Sequence, residues 1–291
     1  MTILVVGHNG FIGRHIVEQL SLFFPERSIK GISSQHIDLL SDKSVQKLAE
    51  LMTPDTVVII CAAIKKQLGD SLEQFKKNQL IIENLCTALL NNPVKQLIYF
   101  SSAAVYGEDI HNLNIDESTA TQPRSYYGIS KLTAEHLLAK VVEANEQSTF
   151  AIVRPPLVYG LGDTSKGYGP AGFIDKILTG QGITLWGDGS ELREFVYVDD
   201  LARLICLVIE QNFAGILNPI SGISHSFQDI LACLSNQMEI TFSIKQNLRT
   251  KNKVDNVFSA DKLFRQFPTF EFTPLDEGLV KTVKLISEHS N

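Results

Sequence analysis

Several features that would point to a function are scarce or missing in this chain of 291 residues. Its four cysteines have no metal-site spacing and stand in apolar surroundings, which predicts buried thiols in a reducing compartment and no bound metal. The formal net charge of −6 argues against nucleic acid as the main partner. No apolar run is long enough to span a bilayer, and Met1 and Thr2 lead straight into an apolar strand instead of a signal peptide. These absences predict a soluble cytoplasmic protein.

Apolar, β-branched runs alternate with longer amphipathic stretches in the first half of the chain. The buried strands are predicted at residues 3–6, 56–60, 96–100 and 149–153, with a weaker strand at 28–32. The helices between them are predicted at residues 11–23, 42–51, 72–90 and 125–142. This alternation predicts an α/β fold with a doubly wound parallel sheet, which binds ligands at the carboxyl ends of its strands.

The pattern changes near residue 160. Residues 161–172 are rich in Gly, Asp, Ser and Pro and predict a loop, whereas 173–178 predict a short helix and 196–209 a strand followed by a helix. Residues 221–235 and the remainder to 291 suit a small lobe. We therefore predict one domain over residues 1–160, to which 190–215 return, and a smaller C-terminal lobe over most of 161–291.

Three glycines, Gly7, Gly10 and Gly13, stand between the first predicted strand and the first predicted helix. Glycine permits a tight turn and lets backbone N–H groups approach a pyrophosphate at the helix start. The spacing is three-and-three, where the commoner dinucleotide fingerprint has two-and-three. With a strand before it and a helix after it, the turn predicts the phosphate site of a dinucleotide.

The end of the second strand carries Ser33 and Ser34 in place of a charged residue. An Asp or Glu at this place would bind the ribose hydroxyls of NAD, and an Arg would favour the 2′-phosphate of NADP. The two serines are able to donate to a 2′-phosphate but are also common turn residues. The choice between NAD and NADP therefore stays open.

Tyr127 and Lys131 lie four residues apart in a predicted helix, so their side chains share one face. Such a pair is common in helices. Beside a dinucleotide turn, it indicates a tyrosine that moves a proton near the cofactor.

With these features in place, the chain resembles the extended short-chain dehydrogenase/reductase family, which includes nucleotide-sugar epimerases, dehydratases and ketoreductases. The resemblance covers nearly the whole length. Its motifs are Gly7-x-x-Gly10-x-x-Gly13, Asp38-Leu39, Ala62-Ala63-Ile64-Lys65, Asn78, Ser101-Ser102-Ala103-Ala104-Val105-Tyr106-Gly107, Tyr127-x-x-x-Lys131, Arg154-Pro155, Gly187-Asp188-Gly189 and the run from Arg193 to Asp200. It implies a Rossmann-type fold, NAD or NADP in the first domain, and a nucleotide-diphosphate sugar bound by the C-terminal lobe.

The resemblance implies three catalytic residues. Ser102 would hydrogen-bond the sugar oxygen that is oxidised, and Tyr127 would be the general acid/base. A phenol with a pKa near 10 is a poor base at neutral pH, so a nearby ammonium and the positive nicotinamide would favour its phenolate. Lys131 would supply that ammonium and hold the ribose of the nicotinamide.

The residues that the resemblance assigns to cofactor binding include Asp38 near the adenine and Lys65 near the phosphates. The full set is Gly7, Asn9, Gly10, Phe11, Ile12, Gly13, Ser33, Asp38, Leu39, Ala62, Ala63, Lys65, Asn78, Tyr127, Lys131 and Pro155.

The substrate-binding residues that the resemblance implies are Ser102, Ala103, Tyr127, Arg193 and Arg249, with the two arginines on the diphosphate. Two features depart from the family pattern. Leu157 replaces an asparagine that contacts the substrate phosphates. Ala103 and Ala104 replace the Asp-Glu pair of the 4,6-dehydratases, which excludes water elimination because its proton carriers are missing.

The first hypothesis is an NAD(P)-dependent epimerase that acts on a nucleotide sugar through a 4-keto intermediate. The alternative is an NADPH-dependent 4-ketoreductase of a nucleotide deoxysugar, since Gly7-His8-Asn9-Gly10 and Asp38-Leu39-Leu40 are similar to GDP-fucose synthase. A non-catalytic NAD(P)-binding sensor or scaffold is a third hypothesis, although it has no need of a proton carrier. The family also suggests a homodimer through residues 72–90 and 125–142.

Overall fold

The computed structural model describes residues 1–66, 69–145, 147–163, 169–238 and 241–289. The chain forms two compact units, of which the first comprises residues 1–108, 120–155 and 201–218. The second comprises residues 109–119, 156–200 and 219–291. The segment that returns to the first unit is thus 201–218 instead of the predicted 190–215, because residues 192–197 form strands of the second unit. Nothing in the sequence pattern indicated that 109–119 belong to the second unit.

A parallel sheet of six strands forms the centre of the first unit. The strands are β1 (Thr2–Val6), β2 (Ser28–Ile32), β3 (Val57–Ile60), β4 (Gln96–Phe100), β6 (Thr149–Val153) and β11 (Gly215–Leu217), in the order β11-β6-β4-β3-β1-β2. Every neighbouring pair is parallel. Strands β3 and β4 are buried along their whole length, as both-sided cover of a parallel sheet requires. The predicted α/β fold class is confirmed.

Helices connect these strands. They are α1 (Phe11–Phe23), α2 (Asp42–Ala49), α3 (Leu72–Asn91), α4 (Tyr126–Glu143) and α6 (Val198–Glu210), whose first residues belong to the second unit. A short 3-10 turn, Ala103–Tyr106, follows β4. The start of α4 is fixed by its N-cap, because the Gly128 N–H donates to the Ser125 hydroxyl over 3.0 Å. The core of this unit includes the fully buried Leu4, Leu85 and Leu138.

Helices α3 and α4 pack against each other and keep some apolar side chains exposed. Leu72, Leu80 and Leu90 are exposed on α3, and Ile129 and Leu137 on α4. Homodimer formation through these helices stays a prediction.

The second unit contains short strand pairs around its own core. The elements are β5 (Asn112–Ile115), β7 (Leu157–Tyr159), α5 (Pro170–Leu178), β8 (Ile183–Trp186), β9 (Leu192–Arg193), β10 (Phe195–Tyr197), β12 (His225–Ser226), α7 (Phe227–Met238), β13 (Ile244–Asn247), β14 (Asn256–Phe258), α8 (Asp261–Gln266) and α9 (Leu275–His289). Among the described residues of this unit, four strand pairs form, β5–β14, β7–β10, β8–β13 and β9–β12. The core includes Tyr159, Phe173, Ile183 and Leu279.

Part of the loop predicted at 161–172 lies outside the described residues, since 164–168 are among those omitted. Helix α5 begins at Pro170, inside that predicted loop, because proline suits the first turn of a helix. Of the helices that the structure describes, none has the length and apolar character needed to cross a bilayer.

Candidate active site

The turn between β1 and α1 accepts only glycine at two of its positions. Gly7 has a φ of +92°, and a Cβ on it would lie 2.7 Å from the backbone nitrogen of Ala62. A Cβ on Gly13 would lie 2.3 Å from the carbonyl oxygen of Gly7. The glycines therefore let β1, the end of β3 and the start of α1 approach closely. This is the cradle that a pyrophosphate needs at a helix N-terminus.

A cavity of about 510 Å³ lies at this turn, in the size range of small-molecule and cofactor sites. The predicted cofactor-binding residues that line it are Gly7, Asn9, Gly10, Phe11, Ile12, Gly13, Ser33, Asp38, Leu39, Ala62, Ala63 and Lys65. Asn78, Tyr127, Lys131 and Pro155 were also predicted to bind the cofactor but do not line it. The residues come from the carboxyl ends of β1, β2 and β3, where a doubly wound sheet binds its ligands.

The sequence interpretation missed two polar or reactive residues of this lining, Gln35 and Cys61, and it considered Ser34 only as a donor to a 2′-phosphate. Cys61 directly follows β3, and Ser34 and Gln35 follow β2 closely. The only signal that the sequence offered for these residues was their position just after predicted strands. Burial raises the pKa of the Cys61 thiol to about 12, which keeps it protonated at neutral pH.

The end of β2 carries a small cluster of neutral and imidazole groups. Ser33 is buried, and its hydroxyl lies 3.0 Å from Nδ1 of His36. The rings of His8 and His36 stack with their centroids 6.4 Å apart. The segment from Ser33 to His36 contains no carboxylate. Ser33, Ser34 and Gln35, the residues of this segment that line the cavity, are all uncharged.

The side chain of Asn78 forms hydrogen bonds with the backbone of the loop after β3. Its side-chain oxygen accepts from the Ile64 N–H over 2.8 Å, and its amide nitrogen donates to the Ile64 carbonyl over 3.1 Å. These bonds fix the residue before Lys65, whose Nζ lies 5.5 Å from the centroid of the Phe11 ring. Asn78 thus shapes the lining of the cavity from behind.

The three predicted catalytic residues come together in the first unit. The Ser102 side chain lies close enough to the Tyr127 phenol to lower its pKa. Lys131 is buried, and its Nζ lies 5.7 Å from the centroid of the Tyr127 ring. The same Nζ donates to the carbonyl of Phe100 over 2.7 Å and lies 4.9 Å from the Tyr99 ring centroid.

The pKa values of Tyr127 and Lys131 are shifted in opposite directions by the same cause. Burial raises the pKa of Tyr127 to about 12, the nearby Ser102 side chain acts against this rise, and Glu108 adds to it. Burial lowers the pKa of Lys131 to about 8, while Cys61 and Glu135 act against this fall. Burial disfavours the charged form of each group. We expected a lysine ammonium to favour the phenolate, but with the protein's own groups alone burial outweighs it.

Charged residues that the sequence interpretation did not select surround Tyr127. Its backbone N–H donates to Oδ1 of Asp70 over 3.0 Å, which ties the start of α4 to the loop before α3. Glu108, which raises the pKa of Tyr127, forms an ion pair of 2.8 Å with Lys66. Neither acidic residue belongs to a motif, and only the structure brings them to the tyrosine.

Ala103 and Pro155 contact each other through the backbone. The Ala103 N–H donates to the Pro155 carbonyl over 2.9 Å, and the Ala104 N–H donates to the Ser102 hydroxyl over 3.2 Å. Both bonds hold the chain immediately after Ser102.

The two predicted phosphate-binding arginines lie in the second unit and have different surroundings. Arg193 donates from Nη1 to the carbonyls of Leu192 and Val254 over 2.8 and 2.5 Å. Arg249 pairs with two carboxylates, through Nη2 with Asp188 over 2.6 Å and through Nη1 with Glu191 over 2.9 Å. The charge of Arg249 is thus already compensated within its own unit.

Comparison with known proteins identifies the family. Residues 3–223 match the model of the NAD dependent epimerase/dehydratase family. A dTDP-4-dehydro-6-deoxy-D-allose reductase from Streptomyces is 30% identical over 238 residues, which cover 72% of each chain. A GDP-6-deoxy-D-talose 4-dehydrogenase from Aggregatibacter actinomycetemcomitans is 29% identical over 259 residues, 85% of this chain and 83% of that protein. The crystal structure of the Thermus thermophilus UDP-glucose 4-epimerase in complex with NAD superimposes with a TM-score of 0.84 at 25% identity, covering 98% of both chains.

The fold and the matches define the class as the extended short-chain dehydrogenases/reductases that act on nucleotide sugars. This chain belongs to the NAD dependent epimerase/dehydratase family. The family resemblance and the nicotinamide dinucleotide class of cofactor are thereby confirmed.

Proposed function

We propose that this protein interconverts a hydroxyl and a keto group at C4 of a nucleotide-activated sugar, with Tyr127 as the acid/base. The observation that carries the proposal is the buried Lys131, whose Nζ lies 5.7 Å from the centroid of the Tyr127 ring, with Ser102 close enough to act on the pKa of that tyrosine. The residues of the glycine turn fit a dinucleotide, since a Cβ at Gly7 or Gly13 would close its cradle. When bound there, NAD(P) supplies the hydride acceptor and donor.

Each residue of the trio has a distinct task in this proposal. Ser102 hydrogen-bonds the sugar oxygen at the reacting carbon, and Tyr127 takes the hydroxyl proton as the carbonyl forms and returns it afterwards. Lys131, with a pKa of about 8, is mostly protonated at neutral pH, so its ammonium favours the phenolate during the transfer. The positive nicotinamide has the same effect. Together they offset the burial that raises the pKa of Tyr127.

Two activities share this chemistry. In a 4-epimerase the keto sugar rotates within the site. The hydride then returns to the opposite face of the sugar, so no cofactor is consumed. The 25% identical structure of a UDP-glucose 4-epimerase supports this activity. In a 4-ketoreductase the reduction runs one way and consumes NADPH. The 30% identical reductase and the end of β2 without a carboxylate support this alternative.

The test is to identify the nucleotide that copurifies by mass spectrometry and to follow candidate reactions by NMR. UDP-glucose and UDP-N-acetylglucosamine without added cofactor would reveal an epimerase, whose 4-epimer accumulates with no change in nicotinamide absorbance. A GDP- or dTDP-4-keto-6-deoxy sugar with NADPH would reveal a reductase through loss of that absorbance. The Tyr127→Phe variant is the control for background activity. Cofactor binding without turnover on either group of sugars would overturn the proposal.

A further inference from the structure

We propose that Glu135 and Arg154 are positioning residues for this chemistry, and the inference rests on the proposed function. Their buried ion pair holds α4, with Tyr127 and Lys131, against the strand end that carries Ser102. Neither residue is among the predicted site residues.

The position of Glu135 on α4 follows from helical spacing. It stands four residues after Lys131 and eight after Tyr127, so all three side chains lie along one face. Only 3% of Glu135 is exposed. A carboxylate at such a place needs partners, because burying an unpaired charge is costly.

Both oxygens of Glu135 have partners from other elements. Oε1 accepts from the Ser101 hydroxyl and, over 3.0 Å, from Nε of Arg154, while Oε2 accepts from Nη2 of Arg154 over 2.6 Å. The two arginine contacts are a bidentate pair, which fixes the orientation of the two planar groups. Ser101 is the residue directly before Ser102. The carboxylate therefore ties α4 to the backbone immediately before the catalytic serine.

Arg154 fixes the chain on the other side of Ser102. Its Nη1 donates to the Tyr106 hydroxyl over 3.0 Å, and that hydroxyl donates to Oδ1 of Asn218 over 2.9 Å. Tyr106 ends the 3-10 turn that begins right after Ser102. Ser102 thus stands between two points, Ser101 and Tyr106, that the same ion pair holds.

The stability of the fold does not by itself explain why an ion pair is buried here. A buried ion pair often stabilises a fold no better than apolar side chains of similar volume, whereas its directional bonds specify one arrangement. The arrangement that this pair specifies is the position of Ser102 relative to α4.

The carboxylate also acts on the charge of Lys131. The groups that face its ammonium are Cys61 at the end of β3, Tyr99 on β4, and Tyr127 and Glu135 on α4. Of these groups, the Glu135 carboxylate raises the pKa of Lys131 against the effect of burial, and the Cys61 thiol does so only when it is ionised. Replacing Glu135 by a neutral residue removes one of these contributions, so Lys131 should lose its proton at a lower pH.

The first experiment compares Glu135→Gln with Glu143→Gln. Glu143 lies at the end of the same helix, is exposed and pairs with Lys140 over 2.7 Å, so it matches the change in charge away from the site. We expect Glu135→Gln to lower kcat roughly ten- to a hundredfold with little change in KM, because small displacements of reacting groups slow a step by such factors. The alkaline limb of the pH–rate profile should move to lower pH by about half a unit. Glu143→Gln should leave both kcat and the pH–rate profile unchanged.

A second variant separates positioning from stability. Glu135→Gln leaves the Arg154 guanidinium buried with a neutral partner, which destabilises the fold. The double variant Glu135→Gln with Arg154→Met removes both charges and should regain thermal stability while kcat stays low and the alkaline limb stays shifted. If turnover returns together with stability, or if neither variant moves the profile, the pair is only structural and the proposal is wrong.

A failure of this positioning proposal can be distinguished from a failure of the proposed function. If the wild type turns over no nucleotide sugar, the affinity for NADH is measured against pH for the same variants instead. A shifted affinity profile in Glu135→Gln supports the positioning of Lys131 at the cofactor. Identical profiles in wild type, Glu135→Gln and Glu143→Gln overturn it.

Discussion

The two units of this protein present their candidate ligand-binding residues in different ways. In the first unit a cavity of about 510 Å³ lies at the carboxyl ends of strands of the central sheet, and most of the predicted cofactor-binding residues line it. In the second unit, cavities of about 350 and 360 Å³ are lined by neither Arg193 nor Arg249. Phosphate binding by a backbone turn requires glycine at fixed positions, which is visible in a sequence. Binding by a charged side chain is less visible, because that side chain is able to pair within its own fold.

The largest effect is expected from the glycine turn of the first unit. Gly10→Val should abolish NAD(P) binding and leave the protein folded. Gly10 has an ordinary φ of −74°, and its Cβ would lie 3.2 Å from the Gly7 carbonyl, so the first carbon needs only a small shift. The remaining methyl groups would occupy the cavity that Gly10 lines. Calorimetric titration with NAD and NADP measures the loss.

Gly13→Ala is the contrasting variant in the same turn. Its Cβ would lie 2.3 Å from a backbone oxygen, so it should lower the unfolding temperature as well as cofactor affinity. An unchanged cofactor affinity in folded Gly10→Val would remove the turn from the cofactor site.

The next largest effect is expected at Tyr127. Tyr127→Phe removes only the hydroxyl, and turnover should fall by roughly a hundredfold or more, since positioned proton transfer contributes about 10²–10⁴-fold. Cofactor affinity should barely change. Lys131→Met should weaken cofactor binding and move the pH–rate profile upward, because the phenol loses its positive neighbour. Rates against pH for both variants test this, and near-normal turnover of Tyr127→Phe would contradict the mechanism.

The sequence was sufficient for those parts of the molecule where local chemistry decides the structure. Apolar runs predicted five of the six strands of the sheet, all except β11, and helical spacing placed Tyr127 and Lys131 on one face of α4. Contacts between distant segments were not predictable in this way. The ion pair of Glu135 and Arg154 joins residues from α4 and the end of β6, and neither residue has a local pattern that indicates the other.

In the second unit, too, the sequence did not reveal which charged residues pair with each other. The family resemblance that suggested Arg249 as a phosphate ligand carries no information about Asp188, which lies 61 positions away and pairs with it. A family motif predicts a residue type at a place in the fold, whereas the partners of that residue depend on tertiary packing. The roles of Arg193 and Arg249 therefore remain predictions.

A comparison of the two arginines tests this interpretation directly. Arg193→Met should weaken nucleotide-sugar binding by about 1.5–3 kcal/mol, the usual contribution of a hydrogen bond to a charged group, and should leave NAD(P) binding unchanged. Arg249→Met should weaken it less, because Asp188 and Glu191 already compensate that charge. Titration of each variant with UDP and with NAD measures both affinities. Equal losses of UDP affinity in the two variants would show that Arg249 leaves its carboxylates to bind the ligand.

The smallest effect is expected at the end of β2, where the choice between the two dinucleotides would be made. Ser34 is exposed and lines the cavity, and no carboxylate lies between Ser33 and His36. Ser34→Asp should shift the ratio of NADP to NAD affinity roughly tenfold towards NAD, since like charges near a protein surface repel by about 1 kcal/mol or more at short range. Ser21→Asp, an equal change in charge on the exposed side of α1 away from the cavity, should leave the ratio unchanged. An unchanged ratio in Ser34→Asp would mean that the segment after β2 does not contact the 2′ position. The cofactor preference would then have to come from other residues of the lining.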